Sequence, residues 1–478
     1  MRPMFRRVMA TGVGQAVGNF VGETRQKMRF IVGASSAGTI IEWYDFYLYG
    51  ALTFVLAPIF TPVSNDPTVN FLVYLATFAT GFAVRPFGAV VFGRIGDLIG
   101  RKYAFLLTVT IMGGGTAAIG VLPGFSQIGI LAPIVLVLLR LVQGLALGGE
   151  YGGAVIYVAE HAPDDRRGYW TSFIQTTATV GLFISIGVVG VTNYLMGDTA
   201  FKAWGWRIPF LLSIALVAVS LFIRWRLKET PLFARLKAAG RTSRTPLREA
   251  LASWANWKLI LLALFGATSG QAVVWYTGQF FAPLFMQKAL GISLATSNVI
   301  MFTALILATP FFLVWGHLSD RIGRKKIIMF GCALAVVTYY PLYLGMAAFS
   351  KPPNIPVLVG LVFVQVFYVT MVYGPIAALL VEMFPARIRY TCLSLPYHLG
   401  NGEFGGATIL IPFVLNAAFG NIFIGLVWCI SVPLMTLIIG QKYLKETKDV
   451  RIWEEVALGP ALGASASMPR TGPTSDQR

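Results

Sequence analysis

The sequence predicts an all-α integral membrane protein of twelve transmembrane helices, arranged as two pseudo-symmetric six-helix bundles. Three observations predict it. The chain is 56% hydrophobic and 12% charged, with a mean hydropathy of +0.70, whereas a soluble domain carries about 25% charged residues. Twelve apolar stretches are long enough to cross roughly 30 Å of hydrocarbon. Two blocks of sequence recur at nearly one offset.

The apolar stretches run at 32–60, 69–93, 103–122, 130–158, 168–194, 206–226, 258–286, 294–316, 327–348, 356–383, 390–418 and 421–443. Several exceed the length a straight helix needs, so tilting or kinking is expected. They divide the chain into an N-terminal tail (1–29), a first bundle (30–227), a charged central loop (228–257), a second bundle (258–445) and a C-terminal tail (446–478). The Ala, Ser, Pro and Gly content of that last segment predicts disorder. Val8–Val21 is mildly apolar behind a basic start. It lacks a Leu-type core and a small-residue cleavage site, so it reads as part of an uncleaved tail rather than a signal peptide.

The net charge of +18 raises the question of nucleic acid, and its distribution answers it. With a cytoplasmic N-terminus, 32 of the 38 Lys and Arg residues fall on the cytoplasmic side. Lys202, Arg207, Lys288 and Lys351 fall outside, and Arg85 and Arg140 lie within spans. This is the positive-inside pattern. The basic balance therefore reports topology and attraction to anionic lipid, not a nucleic-acid partner. Both tails are expected in the cytoplasm, with the chain in a bacterial inner membrane. Cys332, Cys392 and Cys429 lie in different spans without CxxC spacing. They indicate neither a disulfide framework nor a metal site, and no cofactor is expected beyond a proton as coupling ion.

The repeat comes next. Gly93-Arg94-Ile95-Gly96-Asp97-Leu98-Ile99-Gly100-Arg101-Lys102 follows span 2, and Gly316-His317-Leu318-Ser319-Asp320-Arg321-Ile322-Gly323-Arg324-Lys325 follows span 8. Gln143/Gln365, Tyr151/Tyr373, Gly152/Gly374, Glu160/Glu382, Pro163/Pro385 and Arg167/Arg389 recur in the same way. Parallel six-helix repeats are a transporter architecture, with the solute site near midplane between the halves.

Each Gly-x-x-x-Asp-x-x-Gly-Arg-Lys loop lies on the cytoplasmic side. Gly allows the tight turn, and Asp97 or Asp320 can cap a helix or pair with Arg. Gly93, Asp97, Gly100, Arg101, Gly316, Asp320, Arg321, Gly323 and Arg324 thus form a candidate latch that holds one state of a rocking protein. The alternative is a hairpin that only sets topology, for which Lys and Arg alone would suffice. Glu160 and Glu382 end spans 4 and 10, where an acid opposes the helix dipole; facing the loop arginines would compensate.

These loops resemble the signature of the major facilitator superfamily over nearly the whole chain. The first copy departs at Leu98, where that family has a basic residue. Ile41-Glu42-Trp43-Tyr44-Asp45-Phe46-Tyr47-Leu48-Tyr49-Gly50, Arg85-Pro86-Phe87-Gly88, Gln143–Gly152, Trp204–Phe210, Leu227–Pro231 and Glu382–Arg389 resemble the metabolite:proton symporter family within it. The resemblance implies import, with protons, of small carboxylates or of zwitterions such as proline and betaine. It also implies that Arg85 contacts solute.

The residues support a compatible chemistry. Glu42 and Asp45 share a helix face and, like Arg85, lie near the bilayer middle. Each such charge costs on the order of 2.5–3.5 kcal/mol at a helix centre, a cost relieved by pairing around a wet cavity. Two acids and one Arg leave one acid to carry a proton, with a static pair between spans 1 and 2 as the alternative. Glu150, mid-span 4, is either a relay carboxylate or an anchor. Arg140 is expected to complement an acid on another helix. Gly144, Gly148 and Gly152 allow close helix contact.

Candidate solute contacts are Arg85, Arg207, Trp275, Tyr276, Gln279, Tyr373 and Glu403. For Arg207 the alternative is interfacial snorkelling, for Glu403 a hydrogen-bonded structural role, and for the aromatic residues ordinary packing. An enzyme is disfavoured: His161, His317 and His398 lie in separate segments, and no HExxH, GxSxG or Walker pattern occurs. A non-transporting sensor would carry an added signalling domain. The function expected is a secondary active transporter working by alternating access, as a proton symporter of a small anionic or zwitterionic metabolite. A uniporter, an antiporter or a sodium-coupled carrier is the competing reading. Each chain holds both halves, so a monomer suffices.

Overall fold

The computed structural model describes residues 28–61, 64–99, 101–225, 232, 238 and 246–452; within them the side chains of residues such as Asp97 and Arg101 are not described. Every regular element among the described residues is a helix. We number the long ones in chain order. α1 covers 28–60 with a break at Leu52. α2 is Pro67–Ala83 continued by Arg85–Leu98, and α3 is Arg101–Val121. α4 is Leu131–His161, α5 is Arg167–Met196 and α6 is Arg207–Trp225. The second half has α7 (Trp254–Lys288), α8 (Leu294–Ile322), α9 (Arg324–Ala348), α10 (Ile355–Met383), α11 (Arg389–Phe419) and α12 (Leu426–Tyr443).

Nine of the described helices are long and apolar enough to cross a membrane unaided. A tenth span is bent by 57° between Asp198–Gly205 and Arg207–Phe222. α3 has a shorter apolar stretch, Leu106–Val121, and α1 begins at the edge of the described residues. These segments match the twelve predicted stretches closely. The largest shift is in α8, which runs on to Ile322 rather than ending at 316; α12 starts at Leu426 rather than 421 because 421–425 form a turn.

Each half packs internally, α2 on α4 and α3 on α6 in the first, α8 on α10 and α9 on α12 in the second. The halves meet along α2–α11 and α5–α8, two contacts related by the sequence repeat. Small residues set the spacing. A Cβ on Gly144 would overlap the Gly81 carbonyl, and one on Gly148 the Arg85 carbonyl, so α4 lies directly against the α2 backbone. At the second interface a Cβ on Gly316 of α8 would meet Ser172 of α5.

Breaks in the helices position the site. Pro86 has no N–H to return to the carbonyl of Phe82, and α2 is interrupted one residue before Arg85. α7 widens to π geometry at Leu264–Thr268 and Thr277–Phe281, and α11 does so at Gly400–Gly405. Such π segments concentrate at functional sites.

The C-terminal segment differs from the predicted disorder at its start. Residues 446–452 are folded against the bundle, with Ile452 fully buried and Thr447 nearly so. The Glu446 carboxylate accepts from the backbone N–H of Arg324 (2.7 Å) and Lys325 (3.2 Å), capping α9. Gly323 there has φ +111°, a conformation that favours glycine. The predicted disorder of the rest of that tail, the N-terminal tail up to residue 27 and most of the central loop lie outside the described residues.

Candidate solute site and end latch

Arg85 is 1% exposed. Its guanidinium lies over the rings of Phe46 (4.6 Å) and Phe82 (4.2 Å), and its Nη1 donates to the Tyr276 hydroxyl at 3.3 Å. Its Nε and Nη2 find no hydrogen-bond partner among the described residues. A buried cation with donors in hand is a strong claim on an anion. Tyr276 belongs to α7, so Arg85 reaches across the gap between the halves.

Around it the predicted aromatic contacts come together. Trp275 stacks on Tyr47 of α1 (5.6 Å) and meets Tyr276 (4.9 Å) and Tyr373 (6.3 Å) edge-on. Gln279 donates to Thr179 of α5 at 3.1 Å. The Tyr373 and Tyr397 hydroxyls are 2.7 Å apart, Gln175 donates to the Tyr373 carbonyl at 3.0 Å, and Tyr151 stacks on Tyr397 with ring centroids 3.4 Å apart. α1, α2, α4, α5, α7, α10 and α11 thus converge on one enclosed, mostly aromatic site.

Other predicted contacts are not brought there. Arg207 donates to the carbonyls of Gly120 and Leu122, each at 2.9 Å, and lies over Trp206. It serves the carbonyl end of α3, whose last C=O groups lack helical partners. Glu403 is exposed, because the wide π turn directs Gly400, Asn401, Gly402 and Gly405 inward and leaves Glu403 on the outer face.

Among the described residues Arg85 makes no pair with Asp45, the static alternative for these charges. Asp45 is 1% exposed and faces the Ser213 hydroxyl of α6, while Arg85 has taken Tyr276. Asp45 is thus directed to α6. Glu42 and Glu150 are buried at 1% and 2% exposure. Arg140 donates to Gln143 (2.9 Å) on its own helix and is covered by the rings of Phe46, Tyr49 and Phe78, not by an acid.

The second loop motif packs against α5 and α10 at the end of the bundle that carries the basic loops. Asp320 accepts from the Gly168 and Tyr169 N–H groups at 2.8 and 2.9 Å, capping α5, and pairs with Arg324 at 2.7 Å. Glu382 accepts from Arg167 (2.8 Å), Arg324 (3.1 Å) and the Thr447 hydroxyl (2.6 Å). Glu160 pairs with Arg389 of α11 at 3.6 Å. Arg321 is exposed and stays outside this network. Gly93 is buried beside Tyr390 and Thr391 of α11. The predicted contacts of Asp97, Gly100 and Arg101 lie outside the described residues.

Sequence reasoning does not single out Phe82, Gln175, Thr179 or Tyr397, gives Phe46 and Tyr47 only within a motif, and finds no periodicity that announces the folded segment after Lys445. The Gly400-Asn401-Gly402 cluster was the available sign of the π turn.

The comparisons with known proteins agree with this geometry. The Major Facilitator Superfamily profile matches residues 46–395 and, again, 263–446. The chain is 35% identical to the alpha-ketoglutarate permease of Escherichia coli, over 83% of this chain and 89% of that one. It is 31% identical to the glycine betaine/proline/ectoine/pipecolic acid transporter OusA of Dickeya dadantii, over 88% and 84%. In fold it superposes on the proton:xylose symporter XylE with a TM-score of 0.69 at 18% identity, covering 91% of this chain and 99% of that one. The chain belongs to the Major Facilitator Superfamily and is a multi-pass membrane transporter of small solutes, related to its metabolite transporters.

Proposed function

We propose that the protein is a proton-coupled symporter of a small carboxylate, either an organic acid or a zwitterion, working by alternating access. The observation that carries this reading is Arg85: buried, joined to α7 through Tyr276, with two donors that meet no acceptor among the described residues. Its planar fork suits a carboxylate, and the relatives named for alpha-ketoglutarate and for betaine and proline share a carboxylate in their solutes.

The coupling proton is assigned to the buried acids of α1, Glu42 and Asp45, with Glu150 as a further carboxylate in the same half. The latch around Asp320 and Glu382 closes the basic end in this state and separates when the halves rock. The positive-inside rule puts that end, and both tails, in the cytoplasm of a bacterial inner membrane. One chain carries both halves of the site, so a monomer suffices.

The test is uptake by the purified full-length chain in liposomes, using labelled 2-oxoglutarate, succinate, proline and glycine betaine under an imposed inward proton gradient. At least one accumulates, and collapsing the gradient stops it. Accumulation driven by a sodium gradient instead would replace protons with sodium, and equilibration without accumulation would make the protein a uniporter.

A further inference from the structure

His398 lies at the end of the first segment of α11, immediately before the π turn Gly400–Gly405. It is 1% exposed, and neither Nδ1 nor Nε2 finds a hydrogen-bond partner among the described residues. A buried imidazole with both nitrogens unmet is costly, and such groups call for an explanation. Its surroundings supply one. The rings of Tyr151 from α4 and Tyr397 from its own helix stand edge-on to it, at 6.4 and 5.1 Å. The formal charge acting on it is Arg85 of α2. Gly402, four residues on, lies so close to α2 that a Cβ there would sit 3.7 Å from the Arg85 Cβ. Tyr276 from α7 is bonded to Arg85 and Tyr373 from α10 to Tyr397. Asp45 faces α6 and Glu403 faces outward, so neither supplies His398 with a counter-charge.

We propose that His398 is a solute-binding residue: with Arg85 it forms a two-part site for a carboxylate, and it takes up a proton when that carboxylate binds. The inference rests on the carboxylate reading of Arg85 given above. Without solute, a protonated His398 would share its surroundings with the Arg85 guanidinium, and like charges disfavour the charged imidazole. A bound carboxylate reverses that balance, because an anion within about 4–6 Å favours the charged imidazole. The proton comes from the bulk solution on the side from which the solute enters, and it returns to the solution when the carboxylate leaves. Solute binding and protonation are then linked in one place, and each strengthens the other by the same factor.

The chain holds three histidines, His161, His317 and His398, so the imidazole nitrogen resonances of 15N-histidine-labelled full-length protein are few enough to assign, with His398→Gln identifying the third. At neutral pH, adding 2-oxoglutarate or glycine betaine, whichever the wild type accumulates, converts the His398 signal from a neutral to an imidazolium pattern and leaves the other two unchanged. In liposomes His398→Gln raises KM about 10- to 100-fold and flattens its rise between about pH 6 and 8. A His398 signal that stays neutral with solute bound overturns the proposal, as does a His398→Gln KM profile identical to wild type. If wild-type protein takes up none of the carboxylates, the carboxylate reading itself has failed and this inference with it. If wild type transports and Arg85→Gln is impaired while His398→Gln is not, only the inference has failed.

Discussion

Arg167, the first residue of α5, donates to Glu382, the penultimate residue of α10 and 215 positions further along the chain, at 2.8 Å. The repeat relates this pair to Arg389 and Glu160, which meet at 3.6 Å in the opposite sense. Each half thus offers an acid from the end of one helix and an arginine from the start of the next, and each is answered by the other half. Glu382 serves Arg167, Arg324 and Thr447 and is buried with them. Removing one partner of such a network leaves uncompensated charge, at a cost of about 3–5 kcal/mol. Glu382→Gln should therefore lower the thermal unfolding temperature in detergent more than Asp449→Asn does, since Asp449 pairs with Lys448 at the surface. Equal losses would mean that the network around Glu382 has no special weight.

The spacing of α2 and α4 is testable at Gly148. Its missing side chain is what lets α4 touch the Arg85 carbonyl, whereas a Cβ on Gly187 would meet only the Phe302 ring, at ordinary contact. Gly148→Leu should abolish uptake through displacement of α2, and Gly148→Ala should cost about 1–3 kcal/mol of stability. Gly187→Ala should be close to neutral by the same measurements.

At Arg85 the geometry separates charge from shape. A lysine keeps the charge and loses the fork that can hold a carboxylate while bonding Tyr276. Arg85→Lys is expected to reduce kcat/KM by at least about tenfold, a loss of roughly 1.4 kcal/mol of transition-state stabilisation, and Arg85→Gln by more. Full activity of the lysine variant would show that a point charge is all the site needs.

The span pattern and the cross-half latch were largely legible in the sequence, for a physical reason. A span needs a fixed apolar length, and a latch needs charges at helix ends, so both leave local signatures. Asp320, Arg324 and Glu382 stand at such ends and came together as their motif suggested. Facing directions inside the bundle were less legible. The shared face of Glu42 and Asp45 follows from the helical period, but which neighbour that face meets depends on the rotation of α1, which put Asp45 against Ser213. Glu403 was misplaced because a π turn adds a residue to the helical repeat and shifts every later position. Arg207 was misplaced because the carbonyl end of α3 competes for its donors, and a sequence does not display that competition.

The folded segment after α12 gives a further test. Glu446 caps α9 by two backbone bonds, while Lys445 beside it is exposed. Glu446→Ala should cost about 0.5–2 kcal/mol as a lost cap, visible as a lower unfolding temperature. Lys445→Ala should not change it, and a matching loss there would place the effect in net charge instead of in the cap.

The coupling assignment is tested most directly by proton flux. Liposomes containing the full-length chain, held without any imposed gradient, are given the solute that the wild type accumulates, and the external pH is followed. The wild type should alkalinise the medium as protons move inward with solute, and Asp45→Asn with Glu42→Gln should move fewer protons per solute, keeping only the one taken up at His398 with it. Solute entry with no pH change in the wild type, or an unchanged proton signal in the double variant, would contradict the account.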